Sequence, residues 1–301
     1  MKNLKYLSVL VLSFVFLASC EKQESEENKP QELSAQSKTD LIKKVYRYGY
    51  DGSTIEDSIL FTYDSQNRLS EIKYRPVKNG LFSGKKNYSY SFDQASNSNV
   101  VLEQDSILNI DAPGKYMLWY AVKYFLNGNY QQATRIEIPK SNLAYSVTYD
   151  SLGFLKTVHE IPKQFNNLNF NFIWQNNNLH QAFISRENPN STGTFTHEYY
   201  PESYKHDLNF EIYDGYGHGG LWNWDLNNLH HNKYVFLGKK NTQLLKKQTY
   251  TSDLGTDVVD YQYEFNAKGL VSKIRSEKVT TSNNGPRAGS PMATRYEIFY
   301  Y

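Results

Sequence analysis

Across most of this chain hydropathy alternates with a period of two, and that pattern restricts it to antiparallel sheet. Ser58-Ile59-Leu60-Phe61-Thr62-Tyr63, Tyr88-Ser89-Tyr90-Ser91-Phe92 and Val259-Asp260-Tyr261-Gln262-Tyr263-Glu264-Phe265 each set large apolar or aromatic residues against polar neighbours. Successive side chains of a strand point to opposite faces, so such runs read as strands with one face buried. They recur at short intervals, without the strand–helix–strand alternation of a parallel sheet. The longest helical candidate, Asp225 to Leu237, has irregular apolar spacing. The pattern predicts an all-β fold: an antiparallel β-meander forming a strongly twisted, open or partly closed, barrel-like sheet.

A short signature punctuates the strands. It reads Tyr63-Asp64-Ser65-Gln66-Asn67-Arg68-Leu69, Tyr149-Asp150-Ser151-Leu152-Gly153-Phe154-Leu155 and Phe265-Asn266-Ala267-Lys268-Gly269-Leu270-Val271. A weaker copy is Trp174-Gln175-Asn176-Asn177-Asn178-Leu179. The Asp or Asn can accept a hydrogen bond from the backbone N–H two residues on, and the Gly or Asn suits a position with φ > 0. These are hairpin turns, and their acids read as structural.

The N-terminus carries an address. Lys2 and Lys5 precede an apolar stretch from Leu7 to Ala18, the size of a secretory signal core and short for a helical membrane span. It ends in Leu17-Ala18-Ser19-Cys20, which resembles the lipobox of bacterial lipoproteins. The single Cys of the chain stands at the position that motif acylates. The resemblance implies a signal peptide over 1–19, lipidation of Cys20 with palmitate among the acyl chains, and a lipid anchor in the outer membrane. Residues 20–40 hold Leu33 as their one large aliphatic and no aromatic, so they read as the lipidated Cys and a disordered tether. Its coil reach is ~25 Å. Residues 41–301 are then a single β-meander domain. Glu21, Glu24, Glu26 and Glu27 are similar to the acidic tag of Bacteroidota surface lipoproteins, interrupted by Lys22 and Gln23. That leaves the periplasmic face and the cell surface both open.

Charge and cysteine content narrow the function. The 33 Lys+Arg nearly balance 31 Asp+Glu, and loss of Lys2 and Lys5 with the signal peptide makes the signs equal. No basic excess supports nucleic-acid binding. One Cys excludes a disulfide framework and multi-Cys metal sites.

The hairpin unit resembles the Tyr-Asp repeats of bacterial rearrangement-hotspot shells. Gaps of 86 (Tyr63 to Tyr149) and 116 residues (Tyr149 to Phe265) argue against such a tandem shell. The chain is more similar to an uncharacterised Bacteroidota lipoprotein family of unknown function with a porin-like β-fold. That resemblance rests on the lipobox and tether, Lys239-Lys240-Asn241-Thr242-Gln243-Leu244-Leu245-Lys246-Lys247, Tyr261 to Leu270 and the closing Arg295 to Tyr301. It implies no catalytic residue. Membrane insertion is not expected, because runs such as Arg68-Leu69-Ser70-Glu71-Ile72-Lys73 place charges where a lipid-facing strand needs apolar residues.

Two segments depart from the alternation. Residues 213–237 are rich in Gly and aromatics, and Tyr216, Trp222 and Trp224 form the candidate ligand-binding set. Packing as a cap over one end of the sheet is the first expectation, and stacking against a glycan is the alternative. Residues 277–293 read as a second, polar insertion. His218, His230 and His231 lack metal-ligand spacing. Gly217-His218-Gly219-Gly220 is similar to an esterase oxyanion loop, but its partner Gly-x-Ser-x-Gly is absent. No cofactor motif is present. The reading is a lipid-anchored, non-catalytic binding or scaffolding protein of the outer membrane, held by its anchor and engaging a glycan or an envelope protein. A glycan-binding module is the first alternative, and an enzyme with an unrecognised site the second.

Overall fold

The computed structural model describes residues 41–301 apart from 50–52, 77–83, 109–114, 128–131, 162–168, 188–189, 204–237, 240, 254 and 283–291. The alternating runs form β1 (Ile42–Tyr48), β2 (Ile55–Tyr63), β3 (Leu69–Pro76), β4 (Gly84–Asp93), β5 (Ser98–Leu108) and β6 (Tyr116–Leu126). They continue as β7 (Ala133–Ile138), β8 (Leu143–Tyr149), β9 (Leu155–Ile161), β10 (Asn169–Gln175) and β11 (Asn178–Glu187). The last are β12 (Asn190–Ser203), β13 (Gln243–Ser252), β14 (Gly255–Phe265), β15 (Val271–Ser282) and β16 (Met292–Tyr300). Each pairs antiparallel with its sequence neighbours, and β1 also pairs with β16, so sixteen strands close a barrel. The sheet expected to be open or partly closed is therefore fully closed. Closure removes two unpaired edges that would otherwise template association. Side chains join the backbone at this seam: the Tyr48 hydroxyl donates to Glu297 at 2.6 Å, and Tyr301 N–H to the Leu41 carbonyl at 3.1 Å.

The hairpin signature folds as its chemistry dictates. Asp64 Oδ1 accepts from the N–H groups of Gln66 and Arg68, Asp150 Oδ1 from Leu152 and Phe154, and Asn266 Oδ1 from Lys268 and Leu270. Asn67, Gly153 and Gly269 occupy φ of 59°, 86° and 78°, the left-handed region their residue types suit. β15 runs on to Ser282, so alternation persists through the first part of the insertion expected at 277–293.

A repeat absent from the sequence spacing appears in the register. Among the described residues, seven hairpins carry an aromatic near the end of the second strand whose polar head donates to a carbonyl at the start of the first. Tyr63 bonds Ile42, Tyr90 bonds Leu69, Tyr149 bonds Ala133, Trp174 bonds Leu155, Tyr199 bonds Leu179, Tyr263 bonds Leu245 and Tyr300 bonds Val271, at 2.7–3.0 Å. In all seven, the residue three after the acceptor faces the residue four before the aromatic, as in Val45↔Ile59, Val158↔Phe170 and Ile274↔Tyr296. The same register in β5–β6, Val101↔Tyr124, puts the eighth lock position at Gly128, which has no ring and lies outside the described residues. The barrel is thus a ring of eight equivalent hairpins. Connections of unequal length hide their period.

Candidate functional site

Alternation sorts the wall into two faces. Inward residues, among them Val45, Phe61, Ile72, Val101, Tyr124, Ile136, Tyr145, Phe170, Ile184, Tyr261 and Ile298, form one buried apolar cluster. Outward residues are largely polar and include the ion pairs Lys73–Glu71 and Arg135–Glu137 at 2.7 Å, and Lys273–Glu264 and Arg275–Glu277 at 2.6 Å. Exposed apolar side chains on this face include Ile173, Phe183 and Phe299. The side chains facing in are those of a protein core.

The interior is layered along the barrel. Nearest the signature turns lies the ring of aromatic locks. Burial pushes the hydroxyls of Tyr63, Tyr90 and Tyr149 well above the usual tyrosine range, so they stay protonated as donors. An apolar belt follows. Beyond it, toward the other end, come buried and half-buried ion pairs. Arg47 pairs with Asp57, and Lys278 lies 3.1 Å from Asp257. Lys86 Nζ donates to Glu103 at 2.8 Å and lies 3.7 Å from Asp105, while the Tyr124 hydroxyl reaches the other Glu103 oxygen at 3.3 Å. Burial alone would lower the Lys86 pKa, but the Glu103 carboxylate, helped by Asp105, holds it above the usual lysine range. Asp105 is moved the other way, upward, because loss of water outweighs its attraction to Lys86.

Two belt positions break the apolar rule together. His197 is buried between Phe195 and Tyr199, and its Nε2 lies 3.1 Å from Gln248 Nε2. The equivalent positions of other hairpins hold Phe61, Tyr88, Val147 and Phe172 in place of the His, and Val45, Ile72 and Val158 in place of the Gln. These polar interior residues went unmarked in the sequence, although the strand period assigns each of them to the inner face.

Cys20, Tyr216, Trp222, Trp224, His218, His230 and His231 all lie outside the described residues. The segment bearing all of them but Cys20 leads into β13 through a set of side-chain and backbone bonds. Asn178 is buried and its Oδ1 accepts from the N–H groups of Thr242 and Gln243 at 2.9 Å, while its Nδ2 donates to Gln243 Oε1. Asn241 accepts in return from Leu179 N–H, and Lys239 N–H bonds the Gly153 carbonyl at 3.0 Å. The β12–β13 connection is therefore pinned at the signature-turn end. Among the described residues, no three His, Cys, Asp or Glu side chains converge to hold a metal.

No family model matches the sequence, and no curated protein matches it. Solved structures do match. A porin-like protein from Bacteroides uniformis ATCC 8492 superposes with a TM-score of 0.53 at 12% identity, covering 87% of this chain and 98% of that one. A porin-like protein from Bacteroides vulgatus ATCC 8482 gives 0.46 at 14% identity, covering 86% and 98%. Identity this low bears on fold alone. The porin-like β-fold expected from the sequence is the fold observed.

Proposed function

We propose that this is a lipid-anchored outer-membrane lipoprotein whose barrel stands in water as a non-catalytic binding or scaffolding domain. The observation that carries the reading is the polarity of the wall. A barrel that crosses a bilayer needs an apolar outer band, and each Arg or Lys at the midplane costs ~2–4 kcal/mol there. Here the outer face carries Lys73, Arg135, Lys273 and Arg275 in its strands. A barrel of sixteen or more strands that conducts is lined with polar groups, whereas here the inner face is the hydrophobic core. Attachment then falls to Cys20. Acylation on more than one site gives stable anchoring where a single chain binds marginally. The partner of such a domain is another envelope component, a glycan or a protein.

The test compares wild type with Cys20→Ser. Wild type should incorporate labelled palmitate and fractionate with the outer membrane, while the variant should take up no palmitate, with processing of its signal peptide blocked or diverted. A wild-type protein that takes up no labelled palmitate and fractionates as soluble would overturn the reading.

A further inference from the structure

Four large apolar side chains are exposed around one end of the barrel, and we infer that this end rests on the surface of the leaflet that holds the chain's own lipid anchor. The inference rests on the anchoring proposed above. Phe92 and Phe265 each lie two residues beyond a lock tyrosine, Leu152 tips the turn after Tyr149, and Tyr301 follows Tyr300. They are 57%, 52%, 60% and 40% exposed, at the ends of β4 and β14, in the β8–β9 turn and after β16. Four exposed apolar side chains on one rim suit the boundary between head groups and acyl chains.

The chain's own path supplies the occupant. Residue 40 joins Leu41, and the Leu41 carbonyl accepts from Tyr301 N–H at this same rim. Twenty residues separate Cys20 from Leu41. Fully extended they span at most ~70 Å, which limits how far this rim can stand from the bilayer. The local charges agree. Lys43 sits over the Tyr301 ring at 5.4 Å, and Lys268 is exposed in the Phe265 turn, each placing a cation beside an apolar tip where a lipid phosphate would lie. Of the acids beside these residues, Asp93 and Asp150 accept from backbone N–H groups of their own turns, and Glu264 pairs with Lys273. At the opposite end Tyr116, Met117, Leu118, Ile161 and Val279 are exposed on β6, β9 and β15, but the segment from Cys20 joins the barrel at the other rim.

The experiment uses the full acylated chain, in which Cys20 is consumed by the anchor. Leu152→Cys, Phe265→Cys and Met117→Cys each take one environment-sensitive thiol fluorophore. The proteins are reconstituted in phosphatidylethanolamine–phosphatidylglycerol vesicles with or without acyl chains brominated near the head group. We expect bromination to reduce the signals at 152 and 265 to roughly half, as for groups lying at the head-group boundary, and to leave 117 unchanged. Unquenched labels at 152 and 265 on palmitate-bearing, vesicle-bound protein would overturn the inference while leaving the anchor intact. Quenching at 117 alone would invert the orientation and overturn it equally. A chain that takes up no palmitate would remove the anchor reading itself, and this inference with it.

Discussion

Removing one hydroxyl from the ring of locks should have an effect out of proportion to its size. In Tyr149→Phe the ring remains and only the 2.9 Å bond to the Ala133 carbonyl is lost. Ala133 is fully buried, so water cannot take the place of the missing donor. Such a bond contributes about 1 kcal/mol net, and an acceptor left without its partner raises the cost to about 1–2 kcal/mol. In a domain of this size that corresponds to a fall in Tm of roughly 2–8 °C. Tyr46→Phe is the matched control, because the Tyr46 hydroxyl lies on the outer face and accepts from Lys44 at 2.7 Å. Its loss should change stability by less than about 0.5 kcal/mol. The measurement is the urea midpoint at constant slope for both variants, with Tyr263→Phe as a second lock. Tyr149 and Tyr263 bond carbonyls in separate hairpins, so Tyr149→Phe and Tyr263→Phe together should add. Equal midpoints for Tyr149→Phe and Tyr46→Phe would show that the locks do not hold the hairpins.

Gly269 has φ of +78° and open space where a Cβ would stand, so Gly269→Val should cost about 1–2 kcal/mol through the backbone alone, and Gly269→Asn much less; equal denaturation midpoints would contradict this. Lys86→Met strands the fully buried Glu103 and should cost about 3–5 kcal/mol, with Lys86→Met/Glu103→Leu recovering most of it in a thermal melt. Burial alone would raise the Asp64 pKa, but the Arg68 and Gln66 bonds outweigh it and set the value below the usual range. A depressed folded-state pKa stabilises above the unfolded value of about 3.9 and is lost as pH falls through the folded value. The urea-midpoint gap between wild type and Asp64→Asn should therefore be present near neutrality and narrow in acid.

Much of this fold was legible because strand period and turn chemistry are local. Tyr63-Asp64 through Leu69 and Tyr149-Asp150 through Leu155 predicted both the hairpins and the left-handed residues found at Asn67 and Gly153. Closure was not legible, since Val45↔Ile298 joins strands from opposite ends of the chain and no local pattern announces it. The eightfold register was hidden by connections such as the one after Ser203, which stretch the spacing between equivalent aromatics without moving them in space. Lys86 and Glu103 could have been assigned to the interior by parity, but their pairing needed the β4–β5 register. The aromatic segment with Tyr216, Trp222 and Trp224 could be located in the sequence only as a departure from alternation. The Asn178 clamp at its root carried no sequence signal beyond a turn-like run of Asn.

The closing of the ring also sets the order in which the protein can assemble. Among the described residues every strand pairing but one joins neighbours along the chain, so hairpins can form and add to one another with little search. The exception brings together residues such as Tyr48 and Glu297, 249 positions apart. Joining ends that distant costs about 5 kcal/mol in chain entropy if nothing has shortened the loop. A growing curl of hairpins shortens it progressively, which places β1–β16 docking last on the folding path. Until then β1 and β16 are bare edges able to accept each other or the same strands of a second molecule. Folding yield should therefore fall with protein concentration, through exchange of β1 between copies, and a chain whose two ends are covalently joined should escape that loss.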